Sequence, residues 1–500
     1  MGREEIMISE RLKKLNELKK EDINPFPSKF EVKNYSSDLQ TKYKDLANAE
    51  KTKDKVVVAG RVLNIRDLGK IAFAKLKDPY GEIQIVVQDP DTDKKTIEFF
   101  KKYLDSGDII GVEGIIFRTQ RGELSVLVKN IDMLSKSLLP LPEKFHGLKD
   151  DEEKLRKRYL DILLNDEVKQ MFLRKARFWN TMRNFFLGKG FVEVETPTLE
   201  NSAGGAAATP FKTHHNALDL DVFLRISMGE LWQKKLMVAG FGKTFEIGRQ
   251  FRNEGMDADH LQDYTQMEFY MSYSNYEDGM ELVKELYRII AIELYNTTVF
   301  ERQGHKFDLS KEWKIINYSD EIKKQTKIDI WKATKEDIEV KLKELKEEFP
   351  RNLEKPRLID ILWKHCRRSI SGPAFLNSQP VFLAPLAKKS QKDPRVVEQF
   401  QIILAGSEVG NGYSELNDPL DQESRFIEQR KLKDAGDLEA QDHDESFVEA
   451  LKYGMPPTCG FGVSERLFAF LEGKPIRETV IFPLMKPLNT TKEENQKTKK

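Results

Sequence analysis

The stretch TFEIGRQFRNEGMDADHLQDYTQMEFY, residues 244–270, contains two alternating segments separated by a polar loop. In the first segment largely apolar and largely polar positions alternate, which predicts a strand with two unlike faces. In the second segment Gln266, Glu268 and Tyr270 occupy alternate positions and would share a face. Two antiparallel strands joined by a loop at 253–263 would place Arg252, Glu268 and Tyr270 over one surface of a sheet.

A polar sheet face has two interpretations. A hairpin can simply turn its polar side to solvent, and this is the simpler reading of the alternation. Here, however, the opposite faces already supply the apolar surface of a core, and the polar face combines Arg252 and Glu268 with aromatic rings. The pattern therefore favours a site for a ligand that carries both charges.

Two further stretches supply polar groups at strand spacing. In QIILAGSEVGNGYSELND, residues 401–418, Asn411, Tyr413 and Glu415 repeat at every second position, and the neighbouring glycines allow close backbone approach. In PPTCGFGVSERLF, residues 456–468, a glycine-rich strand end leads into a helix that carries Arg466. Each stretch alone is weak evidence, but together with 244–270 they form one constellation.

Composition excludes several classes of protein. The 500 residues predict two to four domains, and 82 basic against 82 acidic residues provide no overall field for a polyanion. Cys366 and Cys459 are far apart in the sequence, so neither a disulfide framework nor a thiolate metal site is indicated. The N-terminus has no apolar signal core and no stretch approaches eighteen apolar residues, so we expect a cytoplasmic protein with no membrane segment.

Periodicity divides the chain into segments of different character. From Val56 to about Leu134 five β-rich runs, with a helical stretch KKTIEFFKKYL between the third and fourth, match an OB-fold barrel. We predict a helical extension at 1–50, an OB-fold domain at 51–138, a linker at 139–164, a catalytic domain at 165–487 and a disordered polar tail at 488–500.

The motifs resemble those of class II lysyl-tRNA synthetases of the bacterial type over nearly the whole chain. FVEVETPTL (191–199) is similar to the first class II motif, the 244–270 stretch to the second and GFGVSER (460–466) to the third. GGAAATPFKTHHNALDLDVFLRI (204–226) and EVGNGYSELND (408–418) are close to strings typical of the lysine enzymes. The resemblance implies an α+β protein: an OB-fold anticodon domain followed by an antiparallel sheet flanked by helices, in a homodimer with the first motif at the interface.

The resemblance also implies the reaction. Lysine would be activated with ATP to lysyl-adenylate and pyrophosphate, and then transferred to the 3′ end of tRNA(Lys). Arg252, Glu408 and Arg466 would carry the catalysis, and Glu408 would hold Mg²⁺ at the phosphates, with Gln401 and Glu415 as further metal candidates. The residues expected to bind ATP are Arg252, Glu254, His260, Tyr264, Glu408 and Arg466.

The substrate contacts follow from the same match. Glu230 and the Gly205 carbonyl would take the α-amino group of lysine, while Glu268, Tyr270 and Glu415 would take its ε-ammonium. Glu230 has a second interpretation, because SMGE at 227–230 reads as a capping box for the following helix. The full lysine-binding set is Gly205, Glu230, Arg252, Glu268, Tyr270, Asn411, Tyr413 and Glu415, and the expected anticodon readers are Arg66, Phe73, Gln84 and Glu123.

The sequence departs from the family at four places. Asp259 stands where a phosphate-side Arg is usual, and Gln401 where a metal-binding Glu is expected. SMGEL, residues 227–231, is one residue longer than the string APEL usual in the family, and the third motif is one residue shorter than usual. For Phe73 and Gln84 a purely structural role is as plausible from pattern alone as a nucleotide contact.

Two alternative functions remain open at this level. An aspartyl or asparaginyl enzyme shares the architecture, but its pocket should offer a cation where Glu268 and Glu415 stand. A non-catalytic RNA-binding relative should have lost Arg252 or Arg466, and both are present.

Overall fold

A computed structural model describes residues 2–142, 148, 150–202, 204–206, 208–255, 257–350, 353–434 and 444–488. The chain divides into two compact units, Met1–Lys149 and Asp150–Lys500. The tail predicted to be disordered lies, apart from Leu488, outside the described residues. Among the described residues no helix is both long enough and apolar enough to cross a membrane.

The first unit is a five-stranded closed barrel with strand order β1-β2-β3-β5-β4. The predicted helix between the third and fourth strands is present, and Asp93 caps it by accepting from the Thr96 backbone N–H at 2.9 Å. The two N-terminal helices pack on the barrel through Leu18 and Leu39, which belong to its hydrophobic core. Its elements are α1 (Arg3–Lys20), α2 (Ser36–Lys42), β1 (Lys51–Asp67), β2 (Ile71–Lys77), β3 (Glu82–Gln88), α3 (Lys94–Tyr103), β4 (Ile109–Arg118) and β5 (Leu124–Ser135).

The second unit is built on an eight-stranded sheet that is antiparallel except at two strand pairs. Its helices are α4 (Asp151–Arg156), α5 (Arg158–Leu164), α6 (Asp166–Gly188), α7 (Trp232–Val238), α8 (Tyr276–Tyr295), α9 (Tyr318–Thr326), α10 (Lys335–Glu344), α11 (Lys355–Arg367), α12 (Pro419–Asp434), α13 (Glu445–Lys452) and α14 (Arg466–Glu472). Its strands are β6 (Val192–Glu193), β7 (Leu199–Glu200), β8 (Lys212–His215), β9 (Leu220–Leu224), β10 (Lys243–Phe251), β11 (Asp263–Ser272), β12 (Val299–Arg302), β13 (His305–Asp308), β14 (Lys314–Asn317), β15 (Ala374–Asn377), β16 (Gln399–Leu404), β17 (Ser407–Ser414) and β18 (Thr458–Ser464).

The large sheet runs β14-β15-β16-β17-β18-β11-β10-β6. One face packs on α6, α8 and α14 through a core that includes Phe178, Phe245, Phe269 and Phe461. As predicted, α6 begins after Asn165, whose side chain accepts from the Glu167 backbone N–H at 3.1 Å. The opposite face of the sheet is therefore available for polar side chains.

The strand predicted over FVEVETPTL is much shorter than expected. Only Val192 and Glu193 pair with β10, and the chain then leaves the large sheet before Pro197. Proline has no N–H for a ladder bond, so the pairing cannot continue through it. Leu199 and Glu200 instead pair with β9 in a separate three-stranded sheet. The predicted connector also contains the helices α4 and α5.

Candidate active site

A polar face crosses four neighbouring strands in register. Glu268 on β11 is paired with Gly462 on β18, Gly462 with Asn411 on β17, and Asn411 with Gln401 on β16. The next row joins Tyr270, Gly460 and Tyr413. The alternation at 244–270 and at 411–415 is therefore confirmed as one continuous polar surface, opposite the core.

Glu268 lies at the centre of this surface and is buried. Its Oε1 accepts from Nε2 of Gln250 and of Gln266, each at 2.8 Å, and its Oε2 accepts from the Gly229 backbone N–H at 3.0 Å. Burial raises the pKa of the Glu268 carboxyl to about 6, and the neighbouring Glu230 adds to the increase. Neutral donors fix the carboxylate without neutralising its charge.

Tyr270 connects the carboxylates of the pocket. Its hydroxyl donates to Oε2 of Glu230 at 3.2 Å and is 3.4 Å from Oε2 of Glu268. Glu415 is buried beside them, and both of its carboxylate oxygens lack a hydrogen bond of acceptable geometry. The structure thus brings together Glu230, Glu268 and Glu415, the three acidic residues that the family resemblance assigned to lysine.

Sequence reasoning missed one member of this cluster, Lys234 on α7. Its Nζ forms ion pairs with Glu230 and with Glu415, the latter at 2.5 Å, and its side chain is fully buried. The signal was present in the spacing, because Glu230, just before α7, and Lys234 are four residues apart, the separation at which side chains meet across one helical turn.

The capping-box interpretation of SMGE is wrong. The helix α7 begins at Trp232 after Leu231, and no side chain caps it. The Glu230 N–H does approach Ser227 Oγ at 3.4 Å, but the Glu230 carboxylate is taken by Lys234 and Tyr270 instead of returning to the chain at Ser227. Glu230 therefore belongs to the pocket.

Glycines make room for these side chains. A Cβ at Gly460 would collide with Oε1 of Glu415 and would lie 2.6 Å from the Tyr270 ring. Gly205 has a positive φ of 85°, and a Cβ there would be 2.7 Å from Cβ of Glu230. The pocket floor on β18 is consequently backbone, and the expected Gly205–Glu230 proximity is present.

Arg252 follows β10 directly, at the other end of the polar surface. Its Nε is buried and has no hydrogen-bond partner among the described residues, and its guanidinium lies 5.7 Å from the Tyr264 ring centroid. The Tyr264 hydroxyl donates to Oε1 of Gln250 at 3.2 Å, which fixes the ring. A buried guanidinium donor without a partner is suited to an anion.

The loop after Arg252 carries the other expected nucleotide contacts. Glu254 accepts from the Thr209 backbone N–H at 3.1 Å, and Nδ1 of His260 lies 2.9 Å from Asp257. These two side chains are exposed, whereas Arg252 and Tyr264 are half-buried.

Arg466, at the start of α14, forms an ion pair with Asp259, the residue that replaces the usual Arg. Its Nη2 lies 3.3 Å from Oδ2 of Asp259 in the loop, so the acid that replaces a usual Arg approaches the guanidinium expected to clamp the nucleotide.

The candidate metal ligands do not form one cluster. Glu408 is held by Nη1 of Arg367 at 3.3 Å, near the start of β17, while Glu415 pairs with Lys234 just past its end. Seven residues of extended chain span roughly 20 Å, so the interpretation of Glu415 as a ligand beside Glu408 is wrong. Burial raises the pKa of Glu408, and Arg367 and Arg466 oppose the increase.

The described residues contain no group of three His, Cys, Asp or Glu side chains that could hold a metal alone. One carboxylate from Glu408, with the amide oxygen of Gln401 on the neighbouring strand, still fits Mg²⁺, which commonly takes one or two protein ligands and completes its shell with phosphates and water.

The outer surface of the barrel carries the expected anticodon residues. Phe73 is paired with Arg66 across β1 and β2, and Gln84 donates to Ser125 Oγ at 2.9 Å. Phe73 is half-buried and packs against a small outer cluster of Val86, Phe117 and Leu127, outside the main barrel core. Arg66 and Glu123 are exposed.

Comparison with known proteins agrees with this architecture. Residues 150–486 match the family model described as "tRNA synthetases class II (D, K and N)", and residues 56–134 match "OB-fold nucleic acid binding domain". The fold and site therefore define a class II tRNA synthetase with an OB-fold domain.

Curated relatives narrow the class. The "Lysine--tRNA ligase" of Thermosipho africanus is 41% identical over 497 residues, 97% of both chains, and that of Thermotoga maritima is 41% identical over 491 residues, again 97% of both. A Thermoanaerobacter protein of the same name is 43% identical over 485 residues, 96% of both. The chain belongs to the lysine–tRNA ligase family, which confirms the resemblance read from its motifs.

Proposed function

We propose that the protein activates L-lysine with ATP to lysyl-adenylate and pyrophosphate, and then transfers lysine to the 3′ end of tRNA(Lys). The observation that carries this proposal is the pocket of three buried carboxylates, Glu230, Glu268 and Glu415, at one end of a surface whose other end presents Arg252. Free lysine has two ammonium groups and one carboxylate, and this distribution of charge is complementary to it.

Lysine would lie along the sheet with its carboxylate towards Arg252. Gln399 already donates to Oδ1 of Asn411 at 2.7 Å, so the group that Asn411 offers to the carboxylate is its Nδ2 donor. The α-amino group would meet Glu230 and the Gly205 carbonyl. The ε-ammonium would be surrounded by Glu268, Tyr270 and the Tyr413 ring. It would also meet Oε1 of Glu415, which has no hydrogen-bond partner among the described residues.

ATP would occupy the surface beyond Arg252. Tyr264 would stack on the adenine, Glu254 would accept from its amino group, and His260 and Arg466 would contact the phosphates. The lysine carboxylate attacks the α-phosphate, so the protein chiefly aligns two anions that repel each other and neutralises phosphoryl charge with Arg252. Mg²⁺ bound at Glu408 and Gln401 would supply further charge neutralisation on the phosphates.

The barrel would read the anticodon. Half-buried Phe73, paired across the strands with Arg66, is suited to stack on one base. The amide of Gln84, diagonal to Phe73 on β3, is suited to donate to a base edge, and the exposed Glu123 is available to accept from a neighbouring base. The reaction uses tRNA, lysine and ATP, and we propose that it takes place in the cytoplasm.

We also propose a homodimer formed around the first motif. Leu187 on α6 and Val192 on β6 are large apolar side chains that are about half exposed in the single chain. Their position beside the first motif fits an interface with a second copy. Sedimentation of the protein, and of a Leu187→Glu variant, tests this.

An aspartyl or asparaginyl specificity is the second candidate, because the pocket does contain a cation, Lys234. That ammonium lies between Glu230 and Glu415, so both sides of it are already occupied by acids. ATP–pyrophosphate exchange with each of the twenty amino acids tests the proposal. We expect exchange with lysine alone; exchange with aspartate or asparagine, or with none, would overturn it.

A further inference from the structure

Lys234 is a buried ammonium to which the reaction assigns no task. It lies on α7, its side chain is fully buried, and its Nζ pairs with one carboxylate just before that helix and another just after β17. These are Glu230 and Glu415, which are expected to contact the two different ammonium groups of the substrate. Lys234 therefore joins the two ends of the lysine pocket.

Apart from these two acids, the Lys234 ammonium is surrounded by aromatic and apolar side chains. The Tyr413 and Phe447 ring centroids lie 5.7 and 5.6 Å from Nζ, and the helix packs in an apolar cluster with Leu231 and Met237. Burial alone would lower the pKa of Lys234, but Glu230 and Glu415 more than offset it and the pKa is raised. Lys234 is a cation in the free protein.

The charges of the pocket can be compared with those of the substrate. Three carboxylates, from Glu230, Glu268 and Glu415, and one ammonium, from Lys234, leave a formal charge of minus two, and free lysine brings two ammonium groups. Without Lys234 a third negative charge would remain buried and uncompensated, which is strongly unfavourable.

We propose that Lys234 is a positioning residue for lysine recognition: it holds Glu230 and Glu415 in fixed orientations and reduces the pocket's charge to match the two ammonium groups of the substrate. This rests on the proposed lysine activation. It contrasts with a second arrangement, in which the ammonium of Lys234 occupies the substrate's own subsite and must leave before lysine binds. The unpartnered Oε1 of Glu415 favours the first arrangement, because an acceptor remains for the incoming ε-ammonium.

The test is lysine-dependent ATP–pyrophosphate exchange in Lys234→Met, which keeps the stem of the side chain and removes its charge. We expect the KM for lysine to rise by about tenfold or more, since a buried charge loses its partner, while the KM for ATP stays within about twofold. Lys234→Arg should recover much of the loss. The matched control is Lys235→Met, which removes the same charge from the same helix at a residue bonded to Ser446 Oγ.

The outcomes separate the possibilities. A lower KM for lysine in Lys234→Met would show that Lys234 competes with substrate, and an unchanged KM would show that it is a bystander; either result overturns the proposal. Equal rises in both KM values would indicate general disruption and also contradict it. If wild type shows no exchange with lysine, the proposed function fails instead, whatever Lys234 does.

A double variant covers the case in which Lys234→Met does not fold. In Lys234→Met/Glu415→Gln the cation and one of its acids are removed together, so the burial penalty largely disappears. We expect this protein to be more stable in thermal unfolding than Lys234→Met, and to bind lysine several-fold more weakly than Glu415→Gln alone by calorimetry, because Glu230 has also lost its partner. Stability no better than that of Lys234→Met, or an affinity equal to that of Glu415→Gln, would contradict the assigned role.

Discussion

Arg466 Nη2 and Asp259 Oδ2 lie 3.3 Å apart, so the guanidinium expected at the nucleotide is already approached by an acid from the loop that follows β10. Asp259 is about half exposed and Arg466 is mostly covered. Two consequences follow for ATP, which must approach a negative charge and must share Arg466 with it.

Replacing Asp259 with Ala should therefore lower the KM for ATP. A partly exposed pair is worth up to about 1 kcal/mol, which corresponds to a decrease of about fivefold at most, and the effect should shrink in high salt. The control is Asp263→Ala, which removes an acid at the start of β11 that pairs with Arg249 instead. A higher KM for ATP in the Asp259 variant would mean that the acid organises the site.

Glu268→Gln should weaken lysine far more than ATP. The ε-ammonium loses a charged partner, worth about 1.5–3 kcal/mol, so the KM for lysine should rise by roughly ten- to a hundredfold. The new amide also faces the donors Gln250 and Gln266, which adds to the loss. Steady-state exchange kinetics with each substrate measure this, and equal losses for lysine and ATP would refute the assignment.

Lysine binding should weaken in acid because of the same carboxylate. The pKa of Glu268 is about 6 in the free protein, raised chiefly by burial. Above that pH the group is ionised and pairs with the ammonium; below it the group is neutral, so kcat/KM for lysine should fall as the pH drops through about 6. Bound lysine favours the ionised form, so the corresponding inflection in kcat should lie at lower pH. An unchanged kcat/KM profile in Glu268→Gln would assign the inflection to another group.

Phe73→Ala should separate the two steps of the reaction. Stacking is worth roughly 1–3 kcal/mol per base, so the KM for tRNA in charging should rise about tenfold or more while lysine-dependent pyrophosphate exchange stays nearly intact. Ile71→Ala is the control, since Ile71 packs on the same outer cluster. If exchange collapses as well, or if both variants behave alike, Phe73 has only a packing role.

Gln401→Glu should lower the Mg²⁺ concentration needed for adenylate formation, because a carboxylate attracts the ion more strongly than an amide oxygen does. Paramagnetic resonance of Mn²⁺ in the ATP complex should show at least one additional bound ion, and Glu408→Gln should change the requirement in the opposite direction. If Gln401→Glu changes neither the count nor the requirement, Gln401 lies outside the coordination shell.

The elements that the sequence predicted well are those in which period and burial agree. Both halves of 244–270 alternate, and the register of β10 and β11 places every second side chain on the polar face. The strands of the OB-fold barrel were predicted correctly for the same reason: their alternation in sequence agrees with their burial. The short strand at Val192 was overestimated because apolar alternation continues up to Pro197, while the pairing that defines a strand depends on a partner elsewhere in the chain.

The site was less predictable at residues whose side chains can form more than one set of contacts. Glu230 could cap α7 or turn into the pocket, and only the position of Lys234 and Tyr270 decides between these. Similarly, nothing local to Asp259 shows that Arg466 lies opposite, since about two hundred positions of sequence separate them. The pairing is a property of the assembled sheet and of the helix that follows β18.

The bare backbone of β18 restricts how this pocket could evolve. Even a methyl group at Gly460 would strike Glu415 and crowd Tyr270, so no single substitution there can narrow the cavity for a smaller amino acid without first dislodging an acid that recognises lysine. Variants with only such a substitution would lose specificity for lysine before gaining specificity for another amino acid. A shift in specificity is accordingly open to coordinated changes on several strands and closed to gradual drift along this one.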